Sequence, residues 1–124
     1  YVVKIEKLYK ELSVKEKILV KDFGGAVSID EATRNTPELV INVVNYAICN
    51  VHNERSSGEK DYQKIVVIDT DGKRYVTGSK AFLSSLEQIA DEYANEGIDE
   101  AIAIKVYRRK SKNYNGDFIT CSAI

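Results

Sequence analysis

The run from Glu38 to His52 constrains this chain more than any other segment. It is the longest β-rich stretch, Leu39-Val40-Ile41-Asn42-Val43-Val44-Asn45-Tyr46-Ala47-Ile48-Cys49-Asn50-Val51, and β-branched residues dominate it. At its start Leu39, Ile41 and Val43 fall on one face and Asn42 on the other. The alternation then falters around Val44-Asn45-Tyr46. A strand that continues through such a break takes an extra residue and bends. The fold must therefore be built around one long, bent strand.

Shorter elements surround it. Lys17 to Phe23 reads as a strand, Gly24-Gly25 as a tight turn and Ala26 to Ile29 as a short return strand, giving an N-terminal hairpin. Asp30 to Thr36 fits one helical turn or a loop. Asn53 to Asp61 has no apolar residue and is a loop. Tyr62 to Asp69 carries Ile65-Val66-Val67-Ile68, apolar on both faces as in a central strand. Thr70-Asp71-Gly72-Lys73 is a hairpin turn whose Asp-Gly pair suits a type I′ geometry, and Arg74 to Thr77 returns from it. Ser79 caps a helix whose apolar stripe is Phe82, Leu83, Leu86, Ile89, Ala90 and Tyr93, and Gly97 ends it. From Ala101 to Arg109, Ile102, Ile104 and Val106 face one way and Lys105, Tyr107 and Arg109 the other. Lys110 to Gly116 is a polar turn, and Asp117 to Ile124 is the last strand.

Five strands with one helix between the third and fourth is the order of the OB-fold, a five-stranded Greek-key barrel. The chain is thus expected to be mainly β. Its 124 residues make one domain, with residues 1–37 as a β-hairpin extension and 38–124 as the barrel core. With 44% hydrophobic and 30% charged residues the chain is globular, and no apolar run is long enough for a membrane-spanning helix. It has no methionine, so residues are expected before Tyr1; the charged start, Tyr1 to Lys7, does not read as a secretory leader. Cys49 and Cys121 lie in apolar strands and are expected as reduced core thiols of a cytoplasmic protein.

Chemistry for an enzyme is not legible. The one histidine, His52, precedes a solvated loop. Asp69 and Asp71 flank a turn, where aspartate belongs for backbone reasons. No Cys-x-x-Cys or His-x-x-x-His spacing points to zinc, and no glycine lies in a phosphate-loop context. No cofactor is expected.

Charge is distributed unevenly beneath a formal net of −1. Ser84 to Glu100 holds six acidic residues and no basic one, whereas Ala101 to Ile124 holds Lys105, Arg108, Arg109, Lys110 and Lys112 against Asp117 alone. Aromatic residues interleave with these cations at Tyr107, Tyr114 and Phe118. Single-stranded nucleic acid needs this combination: cations for phosphates and ring faces for unpaired bases. In an OB-fold the loops after the first and fourth strands frame the groove. Here those are Asn53–Asp61, with Arg55 and Lys60, and Lys110–Gly116. The hairpin bearing Tyr62, Arg74 and Tyr75 would line the groove between them. The residues alone leave open an RNA-binding OB domain and a protein-interaction or assembly module of a phage or mobile element.

The stretch Ile68-Asp69-Thr70-Asp71-Gly72-Lys73-Arg74-Tyr75-Val76-Thr77-Gly78-Ser79-Lys80 followed by the helix resembles the single-stranded-DNA-binding proteins of small Bacillus phages of the phi29 type. Ile104-Lys105-Val106, the basic turn and Gly116-Asp117-Phe118-Ile119 share the resemblance, as does Asn45-Tyr46-Ala47-Ile48 after Pro37. It covers residues 38–124. It implies an OB-fold, no enzymatic activity, and binding of strands exposed during phage DNA replication in the host cytoplasm. Many members end in an acidic tail that recruits partners, whereas Thr120 to Ile124 carries no acidic residue. Homo-oligomers and cooperative self-association along a strand stay open.

Overall fold

The computed structural model of the chain describes residues 1–113 and 115–124. Seven strands form one curled, half-barrel sheet: β1 (Val2–Leu8), β2 (Val27–Ser28), β3 (Glu38–His52), β4 (Asp61–Asp69), β5 (Arg74–Thr77), β6 (Ile102–Lys110) and β7 (Asp117–Ala123). Among the described residues three α-helices accompany them: α1 (Val14–Val20), α2 (Ile29–Asn35) and α3 (Lys80–Asn95). The strand order is β2-β5-β4-β3-β6-β7.

The long bent strand is the organiser. One edge of β3 pairs with β4 from Val43 to His52. The other edge serves two partners in turn, β6 from Glu38 to Val43 and β1 from Ala47 to His52. The hand-over falls at a register shift between Val43 and Asn45, where the sequence alternation breaks. Asn45 fixes the bend. Its side chain accepts from the Lys10 and Tyr46 amides and donates to the Lys10 carbonyl, each at 2.9 Å.

The concave face holds the main core. Ile41, Val43, Tyr46 and Ile48 of β3 meet Ile65, Val67, Ile102, Ile104 and Val106, and Phe82, Leu86 and Ala90 of α3 close the open side. Ser79 caps α3 by accepting from the Phe82 amide. At the other end Gly97, at φ +69°, turns the chain back. The Gly97 amide bonds to Ala94 at 3.1 Å and the Ile98 amide to Tyr93 at 2.9 Å, a Schellman pair. Two ion pairs, Lys7–Glu87 and Lys10–Asp99, tie β1 and the segment after it to this helix and its C-terminal turn.

The N-terminal third corrects the expected hairpin. Val14 to Val20 is a helix, not a strand, because Ser13 and Glu16 form a reciprocal capping box. Phe23 to Gly25 is a 3-10 turn rather than a hairpin turn. Val27–Ser28 is the only strand of the return, and it pairs in parallel with β5 instead of antiparallel with Lys17–Phe23. Asp30 to Asn35 lies within α2, so the helical alternative holds there. β1, which the charge-rich start conceals, is an added strand. β1, α1 and the 3-10 turn cover the convex face, where Val20, Leu8, Leu12 and Phe23 pack on Ala47, Cys49, Val66 and Val76 in a second core, whereas Ile29 of α2 joins the main core.

The β4–β5 turn also departs in detail. Gly72 has φ +80° but Asp71 does not have positive φ, so the turn is not type I′. The Gly72 amide bonds to the Asp69 carbonyl, and the Asp69 carboxylate accepts from the Asp71 and Lys73 amides at 2.9 Å. It is a three-residue loop closed by one left-handed glycine.

Candidate nucleic-acid interface

Antiparallel pairing of β6 and β7 sets the site. Arg109 lies opposite Phe118, Tyr107 opposite Thr120, and Lys105 opposite Ser122. Ile104 and Val106 are fully buried on the concave side, so Lys105, Tyr107 and Arg109 project from the convex side. Phe118 shares that side and is 37% exposed, while its neighbour Ile119 is 3% exposed in the core. Lys105 also lies opposite Val40 of β3, which is 55% exposed. α3 reaches the β7 part of this face, where Thr120 is 7% exposed and shares a hydrogen bond with Ser85 at 3.1 Å, while Lys105 and Tyr107 are half-buried and Arg109 and Phe118 exposed.

The side chains are arranged but not locked. The Lys105 Nζ sits 5.5 Å from the Tyr107 ring centre, within cation–π range. Glu38 approaches the same ammonium at 3.8 Å, an exposed contact of little energetic weight. The Tyr107 hydroxyl shares a hydrogen bond with Ser122 at 2.7 Å, which holds the ring on the sheet. Arg109 is exposed at the end of the row. Lys110 and Lys112 are exposed beyond it, where β6 runs into the turn. Tyr114, the expected stacking residue of that turn, lies outside the described residues.

Other residues expected at the groove have different surroundings. Arg108 points to the concave side: its guanidinium donates to the Thr33 hydroxyl, the Asp30 carbonyl and the Asp117 carboxylate, pinning α2 to the β6–β7 hairpin. The Arg74 guanidinium donates to the Leu19, Asp22 and Gly25 carbonyls, binding the end of α1 and the 3-10 turn to β5. Tyr75 is 6% exposed and belongs to the main core. Its strand is covered on both faces, a circumstance that residue type and alternation do not reveal. Tyr62 is half-buried on β4, with the Lys64 Nζ 5.9 Å from its ring. Arg55 and Lys60 are exposed in the loop after β3, and Lys60 pairs with Glu54 at 3.1 Å.

That loop is fastened by His52. Its Nδ1 lies 2.6 Å from Asp61 and its Nε2 2.6 Å from Glu54. The hydrogen bond to Asp61, then that to Glu54, pushes the His52 pKa above its ordinary value, because the imidazolium can donate to both. The two carboxylates engage opposite ring nitrogens and cannot converge on one ion. Among the described residues no group of three or more histidine, cysteine or acidic side chains is placed to hold a metal. Both thiols are free and buried, and burial raises Cys49 to about 11 and Cys121 to about 12. No helix among the described residues is long and apolar enough to cross a membrane.

The surface therefore presents cations, ring faces and an apolar edge on one side of β6 and β7, chemistry suited to an unpaired, phosphate-bearing chain. The model of a family described as phage single-stranded DNA-binding protein, of the Phi29 type, matches residues 13–123. No curated protein and no solved structure matches the chain.

Proposed function

We propose that this chain, which belongs to the Phi29-type phage single-stranded DNA-binding protein family, holds its DNA on the convex face of β6 and β7. Its function is single-stranded DNA binding in phage replication. Members of the family are binding proteins rather than enzymes. The observation that carries the site is the shared face of Lys105, Tyr107, Arg109 and Phe118, half-buried at the first two and exposed at the last two. Bases stack on Tyr107 and Phe118, and phosphates pass Lys105, Arg109, Lys110 and Lys112, without regard to sequence. Arg55 and Lys60 flank the strand from the loop after β3.

We read β3, β4, β5, β6 and β7 as the five strands of an OB barrel with α3 between the third and fourth, opened where β5 and β7 do not pair. Residues 1–37 are an extension whose β1, α1 and 3-10 turn lie on the convex face while Ile29 of α2 enters the main core, and 38–124 are the barrel. Action in the host-cell cytoplasm follows from this reading.

A titration with oligo-dT at low salt tests it. The chain has eight tyrosines and no tryptophan, so its intrinsic emission reports tyrosine directly. Quenching that saturates below tens of micromolar is expected. Absence of binding in that range would contradict the proposal, and equal or tighter binding of the RNA homologue would reassign the site to RNA.

A further inference from the structure

The interface does not end at Phe118. Away from Tyr107, Phe118 lines a cleft together with Lys64 of β4 and with Gly78 and Lys80 at the start of α3. A second cleft shares Gly78 and Lys80 with the first and reaches Tyr62. Together they form one groove with an aromatic ring at each end and two lysines between. It follows the seam where β5 pairs only with β4 and β2, and β7 only with β6, among the described residues.

The two clefts carry the carboxylates Asp30, Glu59, Asp61 and Asp117 against Lys64, Lys80 and Arg108, so it is the pair of lysines at the centre, not the net charge, that suits a phosphate. Asp117 is occupied by Arg108 at 2.9 Å, and the Asp30 carboxylate accepts from the Thr77 hydroxyl. Asp61 holds His52, leaving Glu59 exposed at the Tyr62 end. Neither Lys64 nor Lys80 has a carboxylate within 4.0 Å among the described residues. Between them the floor is Gly78. A Cβ there would meet the Lys64 Nζ at 3.6 Å, the Gln63 carbonyl at 3.7 Å and the Lys64 Cδ at 3.9 Å, which is ordinary contact. The protein's own packing therefore does not require glycine at this point, and its absence of a side chain leaves the floor low.

We propose that a strand bound on the β6–β7 face continues through this groove, its backbone crossing Gly78 between Lys64 and Lys80 and one base stacking on Tyr62. This rests on the single-stranded DNA reading and deepens it by adding Lys64, Lys80 and Gly78 to the path. Lys64 shares its face of β4 with Tyr62, and Lys80 follows the helix cap. Only the fold brings both next to Phe118.

The test uses the full chain and an oligo-dT of about sixteen residues, the upper end of the site sizes of such folds. Gly78→Leu, which fills the floor, is expected to weaken binding roughly tenfold, as is Tyr62→Ala, the scale of one lost stacked base. The Lys64→Ala, Lys80→Ala double variant is expected to flatten the log-affinity against log-salt slope by about 1.4, two phosphates at about 0.7 each. It also carries the test if Gly78→Leu melts early, because Lys80 is exposed and Lys64 only half-buried. The groove path is overturned if Tyr62→Ala and the double variant keep the parent affinity and slope while Tyr107→Ala weakens binding. If the parent chain binds no oligo-dT, the single-stranded DNA reading beneath the proposal fails.

Discussion

The two halves of β3 are alike in sequence and unlike in fate. From Ala47 to Val51 the convex side is sealed: Ala47 and Cys49 are 0% exposed beneath α1, β1 and the 3-10 turn. From Glu38 to Val43 the concave side is equally buried, at Ile41 and Val43, yet Val40 on the convex side is 55% exposed. Both halves are rich in β-branched residues and both build the same core. The difference lies in what the N-terminal third of the chain covers and what it leaves bare. The bare half borders the row of Lys105, Tyr107, Arg109 and Phe118, the face proposed for the DNA.

A carboxylate placed on each half breaks the comparison most sharply. Ala47→Asp buries a charge with no partner and is expected to cost more than about 3 kcal/mol of folding free energy in urea unfolding. Val40→Asp, on the same side of the same strand, is expected to stay within about 0.5 kcal/mol. Next in size, Tyr107→Ala is expected to lose about 1–3 kcal/mol of oligo-dT affinity while its melting temperature stays near the parent's, since its ring is only half-buried. A large drop in melting temperature with unchanged binding would place the ligand on the other side of the sheet.

The thiols sharpen the contrast by another route. Burial raises Cys49 to about 11 and Cys121 to about 12, so neither forms thiolate at pH 8. An aromatic disulfide reagent is expected to leave both unmodified in the native chain and to titrate both on unfolding. Fast native reaction of Cys49 would mean that the α1 cover opens. The smallest effect concerns the loop after β3. Asp61 and Glu54 raise the His52 pKa in the folded state, so this stabilisation is fully present below the unfolded value of about 6.5. It is lost as pH rises through the higher folded value. The melting-temperature difference between the parent and His52→Asn is expected to shrink across that window.

Much of this was legible because it is local. The falter at Val44-Asn45-Tyr46 marks the bulge, the Phe82–Leu86–Ala90 spacing marks the buried face of α3, and Gly97 marks its end. Each depends on residues within a few positions of one another. The convex cover was not legible for the opposite reason. In α1, Val14 is 75% and Ile18 65% exposed, so its apolar residues do not form the buried stripe that announces a helix. The capping box at Ser13 and Glu16 was the signal available there. Arg74 and Tyr75 look like groove residues for the same reason. Alternation identifies the two sides of a strand but not which of them another segment will cover.

Single-stranded DNA is expected on the side of the sheet that the N-terminal third leaves bare. Backbone amide chemical shifts followed by NMR during an oligo-dT titration test this directly. The largest changes are expected along Ile102–Lys110 and Asp117–Ala123, with little change at Val2–Leu8 and along β3 from Ala47 to Val51. Shifts concentrated in β1, α1 and that half of β3, with β6 and β7 unmoved, would contradict it.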